Sequence, residues 1–124
     1  MNAPPTNPEG KVHGDVLSEI SEGMVRILKE HYGTGPSEVK TVYDEDLVLC
    51  VLRGGFSRVE QVVHELGRGD DVARFRHAFQ TVMEPRFRKV VEDATGRKVI
   101  AFMSGNDNEP NMLGEIFVLE PRPR

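Results

Sequence analysis

The sequence predicts an α+β fold with elements in the order α-β-β-α-α-β-β: a four-stranded, mainly antiparallel sheet with the helices packed on one face. Three observations carry this expectation. Two pairs of short β-rich runs are each separated by a polar stretch, apolar residues elsewhere recur at the three-and-four spacing of helices, and neither an internal repeat nor a βαβ rhythm is present. The 124 residues have room for one domain, and 38% hydrophobic with 29% charged residues is ordinary globular usage.

Residues 1–13 are expected to be a flexible tail, because Pro4, Pro5, Pro8, Asn2, Asn7 and Gly10 leave too little apolar surface to offset ordering. One domain should span 14–120, and Pro121-Arg122-Pro123-Arg124 reads as a short C-terminal tail over 121–124. Within the domain, Val16, Leu17, Ile20, Met24, Ile27, Leu28 and Tyr32 line one face of a helix over Asp15 to Tyr32, with Gly33 as its left-handed cap. Glu38 to Asp44 and Asp46 to Arg53 form a hairpin around an acidic corner. The second of these strands is apolar on both alternating faces, which predicts a central position and a buried Cys50. Ser57-Arg58-Val59-Glu60 is a capping box opening a short helix with Val59, Val62, Val63 and Leu66 on one face. Asp70 or Asp71 then caps a longer helix whose stripe is Val72, Phe75, Phe79, Val82, Val90 and Ala94. Pro85 predicts a kink or break near Met83 to Pro85. After Thr95-Gly96-Arg97 come a buried strand over Lys98 to Ser104, a polar loop over Gly105 to Asn111, and a last strand over Glu115 to Leu119.

The sequence points away from most chemistries. The longest apolar run, Leu47 to Leu52, is far below the roughly 18 residues of a membrane span, and residues 1–13 do not read as a secretory signal. One Cys makes no internal disulfide, so a reducing cytosol is the expected setting. His13, His31, His64 and His77 have no metal-ligand spacing; His64-Glu65 begins like a zinc-protease motif, but Gly67 and Arg68 stand where the second His is needed. Asn106-Asp107-Asn108-Glu109 lacks the carboxylate alternation of a calcium loop. Gly33-Thr34-Gly35-Pro36 follows a helix instead of opening one, so it is a turn and not a phosphate cradle. No catalytic residue, cofactor or metal site is therefore assigned.

One asymmetry stands out. The net charge is -4, yet residues 1–50 hold four bases against nine acids while residues 68–98 hold eight bases against five acids. Arg76 and Arg86 fall near the apolar stripe of the long helix, and with Arg68 they are the candidate contacts to a partner or an anion. The competing expectation is that these arginines pair with the acidic first half of the same chain.

With these residues in place, the chain resembles the MpsC-type domain family, named for a Na+-translocating, membrane-potential-generating system and formerly a domain of unknown function. The resemblance runs from about Ser18 to Leu119. It is carried by Gly33-Thr34-Gly35-Pro36, Asp46-Leu47-Val48, Phe56-Ser57 with Glu60, Gly67-Arg68-Gly69, Arg76 with Phe79, Glu92 with Thr95-Gly96-Arg97-Lys98-Val99, Ser104, and Phe117-Val118-Leu119. Two departures are Pro85, in a stretch expected to be continuous helix, and Phe56-Ser57, where a Leu-Thr pair is usual. The resemblance implies a bacterial, cytoplasmic, non-enzymatic accessory or regulatory domain tied to a cation or bicarbonate transport complex. Its implied place is in solution or peripheral at the inner face of the membrane. Its implied partner is a membrane transport subunit or a second copy of itself. The alternative is an anion-, nucleotide- or nucleic-acid-binding module using residues 68–98, although few aromatic residues are available for base stacking.

Overall fold

Helix α1 (His13–Tyr32) forms because Val16, Ile20, Met24, Ile27 and Leu28 share one face and are all buried. Each such side chain contributes about 1.5–3 kcal/mol relative to leaving it exposed, against a few tenths for a surface i,i+4 charge pair. Gly33 ends the helix at φ 81, and its amide donates to Lys29 O. The computed structural model describes Thr6 and residues 9–55 and 57–123. The remaining elements are β1 (Glu38–Asp44), β2 (Leu47–Arg53), α2 (Arg58–Glu65), α3 (Gly69–Thr95), β3 (Val99–Asn108) and β4 (Asn111–Leu119).

The four strands form one antiparallel sheet in the order β1-β2-β4-β3, so the two hairpins meet through β2 and β4. This is the α+β arrangement the sequence predicts, with β2 central. Val48, Cys50 and Leu52 face α1 and α3 and are buried, as are Leu113, Phe117 and Leu119 of β4. The alternate residues of the same strands face away from all three helices. Close approach of α1 to α3 is set at Gly23, where a Cβ would fall 2.6 Å from Val90 Cγ1.

The structure corrects four local expectations. The polar loop over 105–111 is mostly strand, and the connection is only Glu109-Pro110. Asn106 and Asn108 face α3 and donate to the carbonyls of Ala73 (3.1 Å) and Gly69 (2.6 Å), so polar residues serve as packing contacts there. Helix α3 does not break at Pro85. Thr81, whose carbonyl loses its partner, is exposed, while Gln80, Phe87 and Val91 on the other side are buried and hold both halves to the sheet. Asp70 and Asp71 lie in the first turn of α3, whose N-cap is Arg68. Finally, the buried stripe of α3 is rotated: Val72, Arg76, Gln80, Phe87, Val91 and Ala94 face inward, whereas Phe75 and Val82 are exposed.

Residues 1–5, 7 and 8 of the expected N-terminal tail lie outside the described residues. Lys11 Nζ donates to Asp93 O and Ala94 O at the C-terminal end of α3, where a cation is favoured by the helix dipole. Glu9 accepts from Arg122 Nε at 3.0 Å, and Arg122 Nη2 donates to Tyr43 Oη at 2.8 Å. Buried Arg97 holds the β1–β2 corner to the end of β4 by donating to Glu45 O, Asp46 and Glu120 O.

A row of polar side chains crosses the helix-facing side of the sheet: Thr41, Cys50, Glu115 and Ser104 are successive register partners. Gln80 Nε2 donates to Glu115 Oε1 at 2.7 Å. Burial pushes the Glu115 carboxyl up to about 8, so it carries a proton at neutral pH. Glu115 Oε2 and Gln80 Oε1 have no partner among the described residues, and a carboxyl proton is the donor that such a pair of oxygens needs. Burial likewise pushes the Cys50 thiol up to about 12, which keeps it a neutral core group.

A carboxyl pKa raised on folding gives stability that is fully present below the unfolded value of 4.5 and is lost as pH rises toward about 8. Urea unfolding should therefore show stability falling by a few kcal/mol between pH 5 and pH 8, and the isosteric Glu115→Gln variant should lose most of that slope. An unchanged slope in the variant would contradict a protonated Glu115.

Candidate functional site

Helix α2 opens with the predicted capping box. Glu60 N donates to Ser57 Oγ at 3.2 Å, and Ser57 N donates to Glu60 Oε1 at 3.0 Å. The box aims the Glu60 carboxylate inward, where Arg76 of α3 meets it with Nε on Oε2 at 3.0 Å and Nη2 on Oε1 at 3.4 Å. Arg76 Nη1 donates to Asn111 Oδ1 at 2.7 Å at the start of β4. Both charged side chains are almost wholly buried. Glu60 is the single buried residue of α2.

With Glu60 turned inward, much of the rest of α2 faces outward, while Val63 and His64 are half-buried. Of the residues expected on one face of this helix, Val59, Val62 and Leu66 are exposed, as are Phe75 and Val82 on α3. Beside Val59 and Phe75 runs a groove of about 550 Å³ lined by His31 and Tyr32 at the end of α1, Val59 and Val63 of α2, and Val72, Phe75 and Phe79 of α3. Phe79 forms its wall by edge contacts to His31 and Tyr32, at centroid distances of 5.5 and 5.1 Å. Tyr32 Oη is buried beside the ion pair without a hydrogen bond of ordinary geometry. Burial, then the Glu60 charge, pushes it up to about 12, so the phenol stays protonated. The groove offers mostly carbon, with His31 and Asp71 at its margin. Arg74 foremost, and Arg68, hold the Asp71 carboxyl below its usual range.

The structure does not bring the three candidate arginines together. Arg76 is 2% exposed and committed to Glu60, so it is not an outward contact but the rivet beneath the groove. Arg86 pairs with Glu30 of α1 at 2.8 Å, the intramolecular pairing with the acidic first half that charge balance allowed. Arg68 is exposed and pairs with Asp71 at 2.6 Å, an acid also bound by Arg74. Sequence reasoning missed Glu60 as the partner of Arg76 and missed the outward apolar residues Leu66 and Phe75. The signal available for both was an apolar arc on α2 and α3 too wide for one contact face, with Arg76 and Gln80 inside it.

Among the described residues no group of His, Cys, Asp or Glu could hold a metal ion. The family described as "Na+-translocating membrane potential-generating system (MpsC)" matches residues 13–121. The uncharacterized protein YrhF of Bacillus subtilis (strain 168) is 23% identical over 106 residues, covering 84% of this chain and 87% of that protein. No solved structure matches.

Removing one member of a buried pair leaves the other charge without compensation, a cost of about 3–5 kcal/mol, whereas replacing both by apolar groups of similar size is often close to neutral. Arg76→Met should accordingly destabilise the protein by about that much in urea unfolding, and adding Glu60→Leu should restore most of the loss. Additive losses in the double variant would show that the two side chains act separately.

Proposed function

Because this chain belongs to the MpsC family, named for a Na+-translocating membrane potential-generating system, we propose that it is a non-catalytic accessory protein of such a membrane system. It acts by docking an apolar or amphipathic segment of a membrane subunit in the α2–α3 groove. The observation that carries this reading is the outward-turned apolar surface: Val59 is 73% exposed, Leu66 76%, Phe75 60% and Val82 69%. Exposed apolar side chains on the walls of a groove are the mark of a protein-binding site, and Phe75 and Val59, both exposed and both lining it, are its anchors. No helix among the described residues is long and apolar enough to cross a membrane, which supports a role beside the ion path.

The residues 68–98 that suggested anion binding are less suited to it, since Arg76 is buried and Arg68, Arg74 and Arg86 each face a carboxylate. In capture experiments from solubilised membranes, Phe75→Glu with Val59→Glu should reduce co-purification of the membrane subunit at least tenfold, while Arg68→Glu with Arg86→Glu should change it little. Full capture by the folded Phe75→Glu, Val59→Glu protein would refute groove docking. Capture that disappears in high salt would assign the contact to the arginines instead.

A further inference from the structure

We propose that the sheet face turned away from the helices is an interface between two copies of this chain, separate from the groove. Register places Val42 of β1, Leu49 of β2, Ile116 of β4 and Met103 of β3 side by side, so one apolar row crosses all four strands on that face. The next row adds Leu47 and Val118. Val42 is 41% exposed, Leu47 45% and Met103 52%, and α1, α2 and α3 all lie on the other side.

Area and charge favour a second copy as the occupant. Strands of seven to ten residues, at about 3.3 Å per residue and about 4.8 Å between strands, give a flat footprint on the order of 450–600 Å². Two such faces together bury about 900–1,200 Å², which reaches the threshold of about 1,000 Å² for a specific interface. Sheets packed face to face sit about 10 Å apart, and a two-fold axis presents the same apolar rows from both sides. Around those rows lie both signs of charge, Glu38, Lys40 and Asp44 on β1, Arg53 on β2 and Asp107 on β3. A balanced rim suits a copy bearing the same rim and offers no attraction to an anionic lipid surface. The helix-side groove stays open in such a dimer.

Sedimentation of the full chain at micromolar concentrations should give a species of twice 13.9 kDa. Val42→Glu with Met103→Glu should weaken that dimer at least tenfold while the circular dichroism spectrum is retained, and Phe75→Glu in the groove should leave it intact. A wild-type protein that remains a monomer at about 100 μM overturns the proposal, as does a folded Val42→Glu, Met103→Glu protein that stays dimeric. A monomer that co-sediments with phosphatidylglycerol vesicles overturns it too. Should the double variant fail to fold, a nitroxide on Met103→Cys decides, because Cys50 is buried and does not compete for the label. A spin pair within about 30 Å, the reach of two stacked sheets of this size, supports the interface, and its absence overturns it.

Discussion

The placement of α2 depends on one interaction, the buried pair between Glu60 and Arg76. An isolated helix of eight residues is far too short to be stable in water. Its own apolar residues do not hold it either, because most of them point to solvent. Apart from an exposed contact of His64 with Glu109, what remains is a carboxylate that closes the capping box at the start of α2 and receives the α3 guanidinium, which in turn reaches Asn111 at the start of β4. Burying two charges is costly, and well-packed apolar residues could serve stability as well. The pair instead fixes an orientation, because a bidentate contact allows α2 few alternatives. An apolar contact in its place would let Val59, Val62 and Leu66 roll inward and close the groove.

The same economy runs through the rest of the molecule. Two long helices cover one face of a four-stranded sheet and bury a core of aliphatic and aromatic side chains, crossed by the polar row from Thr41 to Ser104. The other sheet face and the α2–α3 groove remain as apolar surfaces on opposite sides, each bordered by charge. The proposed pairing of two copies rests on the first of these surfaces and the proposed docking of a membrane partner on the second. Arg97 ties the β1–β2 corner to the end of β4, Lys11 binds the C-terminal end of α3, and Glu9 binds Arg122.

Much of the architecture was legible because it rests on local rules. Helix α1 has a regular apolar stripe and a glycine cap, β2 is apolar on both faces as a central strand should be, and Ser57 with Glu60 spells a capping box. What escaped the sequence depends on tertiary partners. Nothing local says that Glu60 and Arg76 will meet across two helices, so α3 was read with Phe75 and Val82 inside in place of Arg76 and Gln80. Asn106 and Asn108 looked like loop residues because their α3 carbonyl partners lie more than 30 residues away. Pro85 signals a kink or a break, and α3 runs through it without a break because the packing of Phe87 and Val91 outweighs one missing hydrogen bond on the solvent side. Arg68, Arg76 and Arg86 were grouped by charge, a property that periodicity makes visible, yet burial separates them into three different roles.

The Glu60 and Arg76 pair holds α2 with its apolar side outward. Amide hydrogen exchange of Arg76→Met, performed where the protein remains mostly folded, tests it directly. Residues 58–65 should exchange at rates close to those of an unstructured segment, while the central strands β2 and β4 lose no more protection than the fall in global stability accounts for. Undiminished protection in α2, or protection in α2 that stays as high as that of the sheet, would contradict it.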